Sequence, residues 1–101
     1  MIIYNTTYLV ADKVYSAFIK WMKATHIPQQ LESGYFTNAR MCKVLPDDVQ
    51  EGTSVSVQLE AENRDAVTKW NEQYGDLYRM ELASLFSEEV LSFATFLEVI
   101  D

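Results

Sequence analysis

The spacing of apolar and polar residues changes period several times along the chain, and the changes mark six elements. Residues 2–10, IIYNTTYLV, are rich in β-branched and aromatic types and predict a first strand. Val14, Ala17, Phe18, Trp21 and Met22 then recur at helical spacing and predict a helix over 13–25, with Asp12 as its N-cap. Pro28 disfavours helical geometry at the residue before it, so this helix is expected to stop near His26. A short helical turn through Gln30 and Leu31 follows, and Gly34 ends the segment. Residues 35–45, YFTNARMCKVL, predict a second strand, and Pro46, Asp47, Asp48 and Gly52 a polar turn. The cleanest alternation lies at 53–61, TSVSVQLEA: Val55, Val57, Leu59 and Ala61 share one face, Ser54, Ser56, Gln58 and Glu60 the other.

Asn63 is placed to cap a second helix, with Asp65 in its first turn. The apolar side of that helix is Val67, Trp70, Tyr74, Leu77, Tyr78, Leu82 and Leu85, and Gly75 within it costs about 1 kcal/mol relative to alanine. Residues 89–100, EVLSFATFLEVI, predict a fourth strand with Leu91, Phe93, Leu97 and Val99 on one face. No repeat or linker interrupts the chain, which reads as one domain over 1–101.

The order β-α-β-β-α-β, with a right-handed crossover in each βαβ unit, sets both helices on one face of a single antiparallel sheet. The fold class is therefore α+β and ferredoxin-like, with strand order fourth, first, third, second. The helix-facing set is expected to be Tyr4, Tyr8, Val10, Val55, Val57, Leu59, Leu91, Phe93, Leu97 and Val99. The opposite face would then carry Ile3, Asn5, Thr7, Leu9, Arg40, Ser56, Gln58, Glu60, Ala94, Phe96, Glu98 and Ile100. So much apolar surface on an open sheet is expected to be covered by the same face of a second copy, giving a homodimer. A hairpin symmetric about its loop sets Arg40 across from Gln58 with Glu60 diagonal, which implies an Arg40–Glu60 ion pair within the face. Alternatively Asn5, Thr7, Arg40 and Gln58 line a small polar ligand cavity between sheets.

Composition narrows the function classes. The 101 residues are 49% hydrophobic and carry a net charge of −7. That balance opposes binding to nucleic acid phosphates and to anionic membranes, and it favours solubility. No run approaches the length of a membrane span, and the opening residues lack the basic start of a signal peptide. The single cysteine, Cys42, excludes an internal disulfide and suits a reducing compartment, so a cytoplasmic location is expected. In mid-strand among apolar neighbours Cys42 reads as an inert buried thiol.

Candidate chemistry is sparse. His26, the only histidine, falls at an expected helix C-terminus, where the dipole favours imidazolium; it reads as a loop-fixing residue or as a weak candidate acid/base. One histidine and one cysteine cannot supply the usual zinc set, and Asp47, Asp48 and Glu51 lack calcium-loop spacing, so no metal is expected. Three glycines, none in a phosphate-binding run, argue against nucleotide binding, and no cofactor is implied.

The segments MIIYN, WMKATHIPQQLESGYF, ARMCKVL, the SVQ of the third strand and the terminal FLEVI resemble a bacterial family known only as a domain of unknown function, over nearly the whole chain. Its most specific part is Trp21, Met22, His26, Ile27 and Pro28, followed by Gly34 and Phe36. The family in turn resembles the dimeric α/β-barrel proteins, which include cofactor-free monooxygenases, haem-degrading enzymes and muconolactone isomerase-like enzymes. The resemblance implies the fold and the dimer, and no activity. It also implies an arginine in the last strand where this chain has Ala94, so a shared anionic ligand does not carry over. The expectation is a homodimeric barrel with a small-molecule-binding or a structural role, a bound molecule being small and polar or aromatic. The alternative is a cofactor-independent monooxygenase- or isomerase-like enzyme with a pocket near His26.

Overall fold

The computed structural model describes residues 1–45 and 51–101, so Pro46, Asp47 and Asp48 of the expected turn lie outside the described residues. Its strands are β1 (Ile2–Val10), β2 (Asn38–Lys43), β3 (Thr53–Ala61) and β4 (Val90–Glu98). They form one antiparallel sheet among the described residues, in the order β2-β3-β1-β4, as the crossover argument requires. Local alternation fixes the register: Asn5 lies opposite Gln58, Arg40 opposite Gln58 on its other side, and Asn38 opposite Glu60. β2 is shorter than its apolar run. Phe36 precedes the strand and is buried in the core instead of pairing.

The helices form two rods across one face of the sheet. The first consists of a tight turn at Asp12–Val14, α1 (Tyr15–Trp21), a wide π-turn at Met22–His26, and α2 (Ile27–Glu32). Two expectations fail here. Asp12 lies inside the tight turn and caps nothing, because Ala11 holds the N-cap position. The helix also runs through His26 rather than ending there. The Ile27 N–H reaches back to the Met22 carbonyl, one residue further than in an α-helix. The widened turn makes room for the Pro28 ring, and the change of spacing needs one donor fewer where proline has none to give.

The second rod joins α3 (Arg64–Trp70), a π-turn at Asn71–Gly75 and α4 (Asp76–Phe86). Asn63 caps it as expected, its side chain accepting from the Ala66 N–H at 2.9 Å. The π-turn inserts a residue and rotates everything beyond it by roughly 100°. Leu77 and Leu85, expected inside, are therefore exposed, while Tyr78, Leu82 and Phe86 turn towards the core.

The core lies between rods and sheet: Tyr8, Val10, Val55, Val57, Leu59 and Ala61 meet Phe18, Met22, Val67, Trp70, Leu82 and Phe86. β4 presents the face opposite to the expected one. Ala94, Phe96 and Glu98 pair with Thr6, Tyr4 and Ile2 on the helix side, whereas Leu91, Phe93 and Leu97 pair with Leu9, Thr7 and Ile3 on the open side. The more apolar stripe of the strand thus points away from the helices. On the helix side the Arg64 guanidinium lies over the Phe96 ring, 4.3 Å from its centre, and Tyr4 of β1 packs beside it with ring centres 5.4 Å apart.

Candidate functional site

The expected site residues fall on two sides of the sheet. Asn5, Thr7, Arg40 and Gln58 do share the open face. There Asn5 Nδ2 donates to Thr7 Oγ1 at 3.3 Å, and Ser56 Oγ donates to Asn5 Oδ1. The expected Arg40–Glu60 ion pair does not form. The ion pairs among the described residues are Lys13–Glu89, Lys69–Asp65 and Arg79–Asp76, and Arg40 is exposed on the shortest strand. Cys42 lies opposite Ser56 on this same face and is half-buried rather than sealed in the core. No group of metal-ligating side chains occurs among the described residues.

His26 lies on the other side, where the two wide turns come together. One π-turn ends at His26 and the other contains Tyr74; between the rods they leave a cleft of about 420 Å³, lined also by Gln29, Gln30, Glu32, Ser33, Leu77, Tyr78 and Glu81. His26 is only 3% exposed. Its ring stacks on Trp21, with centroids 5.1 Å apart, and meets Tyr78 at 4.6 Å on the other side. Trp21 in turn donates its indole N–H to Glu81 Oε1 at 3.2 Å.

A chain of hydrogen bonds orients the imidazole. The Trp70 indole can only donate, and it donates to Gln30 Oε1. This fixes the Gln30 amide, whose NH2 then points at His26 Nδ1, 3.3 Å away. Nδ1 must accept, so the proton of the neutral ring is on Nε2. Among the described residues no buried side-chain polar atom is left unpaired, and Nε2 has no protein partner, so Nε2–H opens to the cleft. Beside it Tyr78 shares a hydrogen bond with the Tyr8 hydroxyl deep under the sheet. Burial pushes the Tyr78 hydroxyl up to about 12 and the Tyr8 hydroxyl well above its ordinary value, so both stay protonated.

Burial also pushes the His26 imidazole down to about 4, the reverse of the imidazolium expected at a helix end. Glu32, Glu81 and Tyr78 share its cleft, and desolvation outweighs any help the carboxylates give the cation. The unfolded chain takes up a proton near 6.5 and the folded one only near 4, so unfolding binds a proton in that interval. The His26 contribution to stability is then expected to be constant above about 6.5, to fall as pH drops from 6.5 to 4, and to amount to a loss of about 3 kcal/mol in full. Urea midpoints across that range, for the wild type and for His26→Phe, check this. The variant should lose this part of the acid slope, and parallel slopes would contradict it.

Sequence reading identified His26 but missed Gln30, Trp70 and Tyr78 as its partners. The available signal was the four-residue spacing of His26 and Gln30, which sets them on one face only if the helix continues through Pro28.

A family profile described as a domain of unknown function, DUF4286, matches residues 1–100. No curated protein matches the chain. Among solved structures, an ethyl tert-butyl ether d (EthD) family protein of Bacillus halodurans has 11% identity and a TM-score of 0.71, over 99% of this chain and 100% of that one. Two proteins from uncultured marine organisms, each described as a dimeric ferredoxin-like protein, are similar as well. One has 10% identity and a TM-score of 0.70 over 100% and 96% of the two chains. The other has 14% identity and a TM-score of 0.68 over 99% and 94%. At these identities the likeness is one of fold, and the fold is the ferredoxin-like α+β arrangement.

Proposed function

The chain belongs to the DUF4286 family, a domain of unknown function, and from that premise we propose that it acts as a homodimer in which each protomer binds a small polar or aromatic molecule in the His26 cleft. The observation that carries this reading is the cleft itself: a concave site of about 420 Å³ into which a buried, oriented histidine presents a donor. The dimer rests on Leu9, Leu91, Phe93 and Leu97, which crowd one side of the open face and are each at least 40% exposed. The marine neighbours described as dimeric ferredoxin-like proteins accord with it. In such a pair Asn5, Thr7, Arg40 and Gln58 lie in the seam between sheets, where a small polar ligand would meet them second. No described helix is long and apolar enough to cross a membrane, and the lone cysteine suits the reducing cytoplasm.

The cleft lining includes Glu32 and Glu81 and neither lysine nor arginine, on a protein of net charge −7, so anions are disfavoured. The enzyme reading with His26 as a base draws less support, because the proton already occupies the nitrogen that faces the cleft. Screening small aromatic and polar compounds by NMR tests the binding reading. Hits should move the His26 and Tyr78 ring signals and leave those of Phe93 unmoved. A screen without hits, or hits that gather on Asn5, Thr7, Arg40 and Gln58, would contradict it.

A further inference from the structure

We propose that the cleft selects a flat, uncharged molecule through a carbonyl-type oxygen that accepts from His26 Nε2, and that Gln30 sets this preference by holding the imidazole in one tautomer. This deepens the binding reading and rests on it. An indole N–H cannot accept, so Trp70 dictates which end of the Gln30 amide faces it. The other end of the amide must donate, so Nδ1 cannot carry the proton. Gln30 is 5% exposed and Trp70 1%, so water does not compete with these bonds.

The remaining donor, Nε2–H, is held between the Trp21 and Tyr78 rings and cannot turn to another partner. A ligand atom that meets it has to be an acceptor. A carboxylate would also accept, but it would do so beside Glu81 and Glu32, next to an imidazole that stays neutral at physiological pH. A group that can only donate, such as an ammonium, would face an N–H and leave both groups unpaired, and a phenol oxygen accepts less strongly than a carbonyl. A neutral carbonyl avoids both penalties, and the rings of Tyr74 and Tyr78 suit a flat partner. Gln30 is thus a positioning residue: it acts on the ligand only through His26.

The experiment is ¹⁵N NMR of the histidine ring at neutral pH, with titrations of acetophenone, benzoate and phenol into the full chain. The ring is expected to carry its proton on Nε2, and acetophenone to bind more tightly than benzoate or phenol by about tenfold or more. In Gln30→Leu nothing donates to Nδ1, so both tautomers should be populated and the preference for acetophenone over phenol should shrink by about tenfold. Trp70→Phe, which frees the Gln30 amide to turn over, should act in the same direction. If neither variant folds, the wild-type tautomer and probe order still decide. A proton on Nδ1, equal binding of the three probes, or unchanged selectivity in a folded Gln30→Leu protein overturns the inference and leaves the binding site in place. Failure of all three probes, when other compounds still move His26, also overturns the inference alone. The absence of any ligand for the cleft removes the binding reading together with it.

Discussion

On the proposed dimer, glutamate at both Phe93 and Leu97 is expected to leave a monomer of 11.7 kDa without unfolding it. Phe93 is 66% exposed and Leu97 40%, and both point away from the helices, across from Thr7 and Ile3. The protomer's own core does not need them. Across a two-fold axis each substitution occurs twice. Each large apolar side chain withdrawn forfeits about 1.5–3 kcal/mol of burial. The carboxylates that replace them would enter a seam between two chains that each carry −7 already. The dissociation constant should rise by a factor of about a thousand or more. Light scattering coupled to size exclusion reads the mass, and circular dichroism confirms that the fold survives. A variant that keeps the dimeric mass would locate the interface elsewhere.

The second large effect is in the core. Trp70→Ala should cost about 3–5 kcal/mol, enough to leave a chain of this size largely unfolded near body temperature. Trp70 is 1% exposed and its ring meets Tyr4 at 5.7 Å, Phe36 at 5.5 Å and Tyr78 at 6.0 Å. It therefore ties β1, the segment before β2 and the second rod to one point. Its indole N–H also anchors Gln30 in the first rod. Alanine removes the packing and leaves Gln30 Oε1 without its donor. Phenylalanine keeps most of the packing and loses only the bond, at about 1–3 kcal/mol. Urea unfolding of the two variants separates these contributions, and a Trp70→Ala protein nearly as stable as the wild type would contradict this view of the core.

Much of the fold was legible because it depends on short-range pattern. β3 alternates without a break, Asn63 has the chemistry of a cap, and the short path from β2 to β3 sets Arg40 opposite Gln58. What was not legible depends on what covers a surface. β4 has an apolar stripe, Leu91, Phe93 and Leu97, and a mixed one, Ala94, Phe96 and Glu98. Hydropathy assigns the first to the helices, but those residues point to the open side, and pattern alone cannot say which layer meets an apolar stripe.

The wide turns were hidden for a different reason. One inserted residue leaves a helical period looking intact on either side, so Leu77 and Leu85 read as core, and Pro28 read as a stop. His26 could be picked out as a residue with chemistry. Its neutral state could not, because that follows from Trp21, Tyr78 and Gln30 closing around it. The Arg40–Glu60 pair failed because an exposed arginine on the short β2 strand has water as a competing partner.

As proposed, one side of the sheet meets a second chain and the other holds the ligand cleft. Isotope-filtered NMR on a mixture of labelled and unlabelled chains tests it most directly. Contacts between chains should run from the Phe93, Leu91 and Leu9 side chains to the same residues of the partner, with none from His26 or Tyr78. Contacts between chains that arise at the His26 cleft, or none anywhere in a protein that stays monomeric at high concentration, would contradict it.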